Sequence, residues 1–474
     1  MLPVGELTDE DLAIQRYLLD LVLQPLDRWD GFDQIEQLGG SALRYQLNSI
    51  SYALALAQFN FTPAFAGYIA EAQRNAILKM ADRKVWGYWA IENLMGYGRW
   101  EPDPIVWNNV MYTAYLGVMI GLYETLNDDA VFSQPDAFSL RWNQRLNYSY
   151  HFASIAEAIR RNMRKRPGCP QYPCEPHLIY PLCNTFAFNT LLMHDRLHRT
   201  DMTGDLVERV RESYGRDGWI RPDGRFVAGR LEKFKLPILP ASVAYDAAMT
   251  YWLHAAMPDV ARSTWEMLSH RFLQEANGRL TMKGRWWDKM DVGNYKRARG
   301  YTFTYAMLAH TAREMGDEHS ALIVEHEVEQ LNEVMRQHGA RRFAGVSVMG
   351  NGIYAMARFG RASSMHDLIL GNVPDAWKQG PRLGQVAYPD VLVARAVTDG
   401  KKLQLILKPG RGPVRTTLAI ERLLPLQSYR VTGASVDRLV ADIEGHALLE
   451  VILEGRTEVF LGPISPAQAC ESSC

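Results

Sequence analysis

Residues 42–59 read ALRYQLNSISYALALAQF, and this stretch decides the fold class. Its apolar side chains fall on nearly every side of a helix, whereas a helix at a protein surface keeps one polar face. The stretch therefore predicts an inner helix that other helices cover.

Helical patterns recur along most of the chain, and we expect about twelve helices. With Thr8 as the cap of the first, the predicted helices lie near residues 1–22, 42–59, 63–80, 103–126, 149–164, 182–198, 203–214, 241–256, 260–276, 301–315, 319–336 and 352–370. Their connections are alternately short and long, which favours helical hairpins arranged as a closed (α/α)6 toroid or barrel whose long loops meet at one mouth. A linear helical solenoid is the alternative, but the sequence has no fixed repeat period.

The pattern changes after Gln385 into short alternating runs between Gly, Asp and Pro turns, which predicts strands. We expect a small all-β sandwich at residues 385–465 that braces the helical catalytic domain, residues 1–384. Residues 466–474 form a polar tail that we expect to be disordered.

Composition excludes several classes of protein. Of 474 residues, 47% are hydrophobic and 22% charged, and the net charge of −1 disfavours a nucleic-acid partner. No uncharged apolar run approaches the roughly 20 residues of a membrane span, and the N-terminus lacks a secretory pattern, so we expect a cytoplasmic protein. Five cysteines disfavour a disulfide framework, and His194 and His198 lack the Glu of a zinc-protease helix, so no metal site is predicted.

The residues with the clearest chemical potential lie in PCEPHLIYPLCN, residues 173–184. Three prolines bar a regular helix between Pro173 and Pro181, so the loop is stiff and carries Cys174 and Glu175. Cys183 and Asn184 follow in the first turn of the next helix. The alternative is that both thiols pack as small buried hydrophobes.

Aromatic and sulfur side chains recur on the predicted inner helices. Met111 and Tyr115 lie four residues apart and so share a face, and Tyr45, Tyr52 and Tyr245 are placed similarly on other helices. Such stripes are often core packing, but a cavity that they line would suit a hydrocarbon-like substrate.

Several separate motifs resemble the bacterial linalool dehydratase/isomerase family over about residues 20–370. The most specific is Cys174-Glu175-Pro176 with Cys183-Asn184, followed by HDRLH at 194–198; supporting pieces are RKVWGYW at 83–89, DPI at 103–105 with NVMY at 109–112, and AREMGD at 312–317. The resemblance implies an α/α-toroid enzyme that uses no cofactor, acts on a small isoprenoid alcohol and is a homo-oligomer. It implies catalytic roles for Cys174, Cys183 and Tyr45, and pocket positions for Met111 and Tyr245.

Three positions depart from that family. Its active-site histidine is Tyr115 here, which replaces a neutral-pH proton carrier by a phenol. The aspartate and tyrosine that a neighbouring subunit supplies fall on Leu21 and Asp27, with Asp20 one residue away. A pocket tryptophan is Ala248, which leaves room for a larger substrate.

The sequence thus predicts acid–base chemistry on an isoprenoid: protonation-initiated dehydration, isomerisation or cyclisation. Tyr115 joins the catalytic set, and Glu175, Asn184, Tyr52 and Ala248 join the predicted substrate contacts. A carbohydrate-active (α/α)6 epimerase or glycoside hydrolase is the alternative, with Glu101, Asp103, Asp288 and Asp291 as its carboxylates. A non-catalytic binding protein is a third.

Overall fold

The protein is mainly helical and ends in a β region. A computed structural model describes residues 5–34, 36–37, 40–41, 43–166, 168–234, 236–238, 241–276 and 279–464. Within them the α-helices are Asp9–Val22 (α1), Leu43–Phe61 (α2), Gly67–Lys79 (α3), Arg83–Trp86 (α4), Tyr88–Tyr97 (α5), Val110–Asn127 (α6), Phe152–Arg164 (α7), Pro181–His198 (α8), Leu206–Arg216 (α9), Val243–Leu253 (α10), Pro258–Phe272 (α11), Thr302–Glu314 (α12), Glu318–Leu331 (α13), Val348–Phe359 (α14), Ser364–Leu370 (α15) and Asp375–Gln379 (α16).

The strands fall into short hairpins among the helices and a longer set at the C-terminal end. They are Glu36–Gln37 (β1), Gly40–Ser41 (β2), Phe138–Arg141 (β3), Asn147–Tyr150 (β4), Leu178–Ile179 (β5), Arg230–Leu231 (β6), Leu273–Ala276 (β7), Arg279–Met282 (β8), Met290–Asp291 (β9), Lys296–Arg297 (β10), Val334–Gln337 (β11), Ala340–Phe343 (β12), Arg382–Leu383 (β13), Val391–Thr398 (β14), Leu403–Pro409 (β15), Val414–Glu421 (β16), Ser428–Thr432 (β17), Arg438–Val440 (β18), Ala447–Leu453 (β19) and Thr457–Pro463 (β20).

Six largely buried helices pack against one another in a closed sequence. In chain order they are α2, α6, α8, α10, α12 and α14; each packs against the next, and α14 packs back against α2. Residues 43–60 of α2 are buried apart from Tyr45, as its all-round apolar sequence predicts. Eight of the predicted site residues lie on these helices: Tyr45, Tyr52, Met111, Tyr115, Cys183, Asn184, Tyr245 and Ala248.

Local sequence sets where the key helices begin. The Thr8 hydroxyl accepts a hydrogen bond from the Asp11 amide at 3.2 Å, which confirms the predicted cap of α1. Pro181 occupies the first turn of α8, where its missing N–H costs no helical hydrogen bond. The Ser242 side chain caps α10 by accepting from the Tyr245 amide at 3.0 Å.

Several predicted helices were wrong in their bounds. The helix predicted at 260–276 ends at Phe272, and its last four residues are the strand β7. The helix predicted from residue 103 begins at Val110, because the Asp103 carboxylate accepts from two following amides in a turn and Asn109 adopts a left-handed φ of 56°. The helix predicted to residue 336 ends at Leu331 and is followed by β11. The pattern at 352–370 is two helices, since Ser363 also has a positive φ.

The C-terminal region contains all seven strands that alternation predicts, β14 to β20. Five strands form one sheet in the order β14-β15-β20-β17-β18, and β13, β16 and β19 form a second. The Leu7 amide donates to the Ala394 carbonyl at 2.9 Å, and the Ala64 amide donates to the Ala396 carbonyl at 3.0 Å, so β14 is fastened to the helical part. The predicted disordered tail, residues 466–474, lies outside the described residues.

Candidate active site

The two predicted catalytic thiols are brought together. Cys174 lies in the proline-rich loop and Cys183 in the first turn of α8, and their Sγ atoms are 3.1 Å apart. Both side chains are buried free cysteines. The loop is held by Asn184, whose amide nitrogen donates to the carbonyls of Tyr172 and Tyr180 and whose oxygen accepts from the Tyr172 amide. Asn184 therefore fixes the loop that positions Cys174.

Tyr115 extends this pair into a row of three groups. Its hydroxyl lies 3.9 Å from Cys183 Sγ, so Cys174, Cys183 and Tyr115 form a continuous row of groups that carry a transferable proton. The Tyr115 ring stacks on Phe186, with centroids 3.8 Å apart and planes at 17°. Because Tyr115 lies on α6 and Cys183 on α8, two members of the row are held on long packed helices.

An aromatic wall continues from Phe186. Trp252 lies against Phe186 with ring centroids 4.2 Å apart, and Tyr52 stands edge-on to Trp252 at 5.0 Å. The Tyr52 hydroxyl is already used, because it donates to the Tyr115 carbonyl at 3.1 Å. Electron-rich ring faces attract positive charge, so this wall suits a cationic intermediate.

Tyr45 and Met111 lie beside the row, with the Tyr45 ring centroid 6.0 Å from that of Tyr115, and a buried arginine accompanies them. The Tyr45 hydroxyl donates to Met111 Sδ at 3.2 Å, and Arg44 donates to both, at 3.4 Å in each case. The Arg44 guanidinium lies 4.5 Å from the Tyr45 ring centroid and 4.2 Å from that of Tyr88. Arg44 thus places a permanent positive charge beside the phenol.

Two partly buried carboxyl groups interact with Arg44. Burial raises the pKa of Glu92 to about 7, against the opposing effect of Arg44, and one of its oxygens is buried with no hydrogen-bond partner among the described residues. Burial also raises the pKa of Glu175, which accepts a long hydrogen bond from the Tyr180 hydroxyl at 3.4 Å. Glu92 is therefore a group at this site that can change charge near neutral pH.

Burial keeps Cys174, Tyr45 and Tyr115 in their neutral forms. It raises the pKa of the Cys174 thiol well above its usual value, with the Cys183 contact acting in the same direction. Burial likewise raises the pKa values of Tyr45 and Tyr115 well above those of exposed phenols. At neutral pH Cys174 is a thiol that can donate a proton, and an activated thiolate is not its resting form.

The remaining predicted site residues take different places. The Tyr245 hydroxyl accepts from the Leu182 amide at 3.0 Å and so braces the first turn of α8. Ala248 is buried on α10. Asp20 and Asp27 are exposed in this chain, and Asp20 accepts from the Tyr388 hydroxyl at 2.5 Å.

The four carboxylates that a carbohydrate-active enzyme would use each have a hydrogen-bond or ion-pair partner within the protein. Asp288 accepts from the amides of Val243 and Arg285, both at 2.8 Å, and Asp291 accepts from the Ser347 amide and hydroxyl. Asp103 holds its own turn and accepts from the Tyr150 hydroxyl at 2.5 Å. Glu101 pairs with Arg99 at 3.1 Å.

Sequence reasoning missed four groups at the site: Arg44, Glu92, Phe186 and Trp252. Arg44 had a readable signal, because it is the one charged residue in the apolar stretch 42–59. Glu92 lies in a segment that was expected to be a loop and is the helix α5. Phe186 and Trp252 resemble any core aromatic in the sequence, and only packing places them beside Tyr115.

Comparison with known proteins decides the family. The family described as linalool dehydratase/isomerase matches residues 44–349, which is more than half of the chain. The chain belongs to the linalool dehydratase/isomerase family. Membership supports an enzyme of the lyase or isomerase type that acts on a terpenoid.

Solved structures with similar backbones are distant in sequence. A GH76 α-mannanase from Bacteroides thetaiotaomicron is 9% identical, covers 75% of this chain and 96% of its own, and has a TM-score of 0.42. A GH76 α-1,6-mannanase from Salegentibacter in complex with α-1,6-mannotriose is 10% identical, with 76% and 100% covered and a TM-score of 0.43. A sugar epimerase from a ruminal bacterium is 11% identical, with 74% and 97% covered and a TM-score of 0.40. We infer no activity from these likenesses.

A search of the described residues finds no helix with the length and apolarity that crossing a membrane requires.

Proposed function

We propose that this member of the linalool dehydratase/isomerase family is a cofactor-independent acid–base enzyme for an isoprenoid substrate. The observation that carries the proposal is the row of Cys174, Cys183 and Tyr115, with successive distances of 3.1 and 3.9 Å, beside an aromatic wall. A row of thiol and phenol groups, in which burial raises the pKa values of Cys174 and Tyr115, suits protonation of a weakly basic group. An aromatic wall suits the cation that such protonation forms.

The proposed reaction begins with the Cys174 thiol. Its proton passes to the hydroxyl oxygen of an allylic alcohol. The C–O bond then breaks, water leaves, and an allylic cation remains in the site. A thiolate of the pair then removes a proton from a neighbouring carbon, which forms the new double bond and restores the thiol. One proton is given and one is taken back, so no external acid, base or redox partner is consumed.

The same groups serve an isomerisation or a cyclisation. In isomerisation water returns to another carbon of the cation and gives its extra proton to the thiolate. In cyclisation the thiol protonates an alkene carbon or an epoxide oxygen, an internal double bond attacks the resulting cation and closes the ring, and the thiolate removes a proton from the cyclised cation. Ala248, where the family has a larger residue, favours a longer substrate with a distal double bond. Cys183 is the partner that exchanges a proton with Cys174 and Tyr115, or a transient nucleophile.

Arg44 and Met111 give Tyr45 a separate role. The guanidinium lies 4.5 Å from the Tyr45 ring and opposes the effect of burial on the pKa of that phenol, so it stabilises negative charge there. We propose that Tyr45 holds the substrate oxygen and that Met111 shapes the adjoining pocket. Tyr245, Tyr52, Asn184 and Glu175 support this pocket, Asn184 through the loop that it fixes.

The larger assembly is part of the proposal. We propose that the six packed helices form an (α/α)6 toroid as residues 1–384, and that residues 385–465 form an accessory β-sandwich in a cytoplasmic homo-oligomer. Asp20 and Asp27 are the residues that a neighbouring subunit would supply to the site.

The test is an anaerobic incubation of the purified protein with C10 to C20 terpene alcohols, epoxides and polyenes, read by gas chromatography with mass spectrometry. The wild type should form a product that Cys174→Ala and Cys183→Ala each fail to form. Circular dichroism and thermal unfolding of both variants serve as the folding controls. Product formation that survives both substitutions would refute the thiol chemistry.

A further inference from the structure

Large apolar side chains lie exposed on the loops that surround Cys174. Met95 is 81% exposed at the end of α5, Phe234 is 71% exposed after β6, and Trp286 is 74% exposed in the turn 286–289. We call the exposed set the apolar rim: Leu94, Met95, Phe234, Leu236, Trp286 and Val292. A soluble surface rarely keeps so many large apolar side chains on neighbouring loops.

Hydrogen bonds join these loops around the Cys174 loop. His177 Nε2 lies 3.0 Å from the Gly96 carbonyl at the end of α5, and the His177 carbonyl accepts from the Glu232 amide at 2.8 Å. The Trp287 indole donates to the Ala241 carbonyl at 3.2 Å, which ties the Trp286 turn to the segment that follows Leu236. The apolar rim therefore lies on loops that are joined, directly or through a neighbouring segment, to the loop that carries Cys174.

The same rim is strongly basic. Lys283, Arg285, Lys296, Arg297 and Arg299 are all exposed. The carboxylates between them, Asp288 and Asp291, are buried and bind backbone amides. In the described part of the chain these five cations form no ion pair, and Lys233 adds a further exposed charge beside Phe234. The rim thus carries a local positive charge although the whole chain has a net charge of −1.

We propose that the apolar rim docks on an anionic lipid bilayer, with the entrance to the active site facing the membrane. Tryptophan, phenylalanine and leucine beside lysine and arginine match the two layers of a bilayer surface, because the rings enter the acyl boundary while the cations pair with acidic headgroups. A two-fold interface through the rim itself fits less well, since it would oppose the same basic loops. The neighbouring subunit that supplies Asp20 and Asp27 in the proposed homo-oligomer would have to leave the rim uncovered.

The docking has a consequence that rests on the proposed function. An isoprenoid dissolves in the bilayer far better than in water, because each buried methylene favours the apolar phase. An entrance that lies on the membrane would receive the substrate directly from the lipid. Membrane binding itself needs no turnover, so the two proposals can fail separately.

The test is co-sedimentation of the full-length protein with phosphatidylcholine vesicles that contain or lack phosphatidylserine. We expect binding to the anionic vesicles, weakened by added salt and nearly absent with neutral vesicles. Each rim charge removed should lower the partition coefficient about fivefold, so K296S/R297S/R299S should lower it roughly a hundredfold. F234S/W286S should also lower binding to the anionic vesicles, although it changes no charge.

Matched control variants come from the C-terminal β region. K401S/K402S/R430S removes three exposed charges, and I443S/L448S removes two apolar side chains that are about as exposed as Trp286, at 76% and 75%. Both controls should bind anionic vesicles as the wild type does. Equal loss in the controls and the rim variants would overturn the proposal. So would a wild type that ignores anionic vesicles, or rim variants whose one effect is to dissociate an oligomer in light scattering.

Discussion

Replacing Tyr115 by phenylalanine separates its chemistry from its packing. The substitution removes one oxygen and keeps the ring that stacks on Phe186 at 3.8 Å. The contact that is lost, to Cys183 Sγ at 3.9 Å, is long, so we expect the free energy of unfolding to fall by about 1 kcal/mol or less. If Tyr115 moves a proton, kcat should fall about a hundredfold or more, which corresponds to roughly 3 kcal/mol of barrier.

Tyr112 on the same helix is the matched control, because its substitution should lower stability and leave kcat unchanged. It is fully buried, and its hydroxyl donates to the Met80 carbonyl at 2.7 Å, away from both thiols. Tyr112→Phe leaves that carbonyl without its donor and should cost about 1–3 kcal/mol of stability while kcat stays near the wild-type value. The assay pairs turnover of the product-forming substrate with thermal unfolding for both variants. If Tyr115→Phe keeps wild-type kcat, or loses stability as Tyr112→Phe does, Tyr115 packs and carries no proton.

Three further changes probe the site. Burial places the pKa of Glu92 at about 7, above its ordinary 4.5, so the folded state loses stability as pH rises between those values, by up to about 3 kcal/mol and less for partial exposure. Glu92→Gln should therefore show a smaller fall in Tm between pH 5 and pH 8 than the wild type. Equal falls in Tm would contradict the raised pKa of Glu92. Phe186→Leu removes an aromatic pair worth about 1 kcal/mol and should broaden the product mixture by mass spectrometry, whereas a single unchanged product would argue against the wall. Asn184→Ala breaks three hydrogen bonds to the loop and should lower the free energy of unfolding by about 2 kcal/mol or more. It should also speed the reaction of Cys174 with a thiol reagent. An unchanged reaction rate would mean that the loop keeps its conformation without Asn184.

Much of the fold was predictable because its signals are local. The all-round apolar stretch at 42–59 identifies an inner helix from composition alone, and the alternation after residue 385 identifies the strands. The errors lie where short-range polar contacts outweigh periodicity. At Asp103 a carboxylate satisfies two amides in a turn and delays α6 to Val110, which hydrophobic spacing does not reveal.

The candidate site was predictable where neighbours in sequence carry it. Cys174 and Cys183 flank one stiff loop, and Tyr115 lies one helical turn from Met111. Contacts between distant segments were not predictable: α5 brings Glu92 toward Arg44, and α10 brings Trp252 against Phe186. Such contacts depend on how six helices pack together, and a single sequence holds no direct record of that packing.

The position of Arg44 gives the proposed pocket an electrical polarity. Its guanidinium already occupies the ring faces of Tyr45 and Tyr88, so those rings have little attraction left to offer a second cation. Like charges repel most strongly where water is excluded. A carbocation would therefore form beside Phe186 and Trp252, while the departing oxygen stays near the arginine. The orientation of this field would select which carbon of a symmetric allylic system bears the charge, and so would set the regiochemistry of the product.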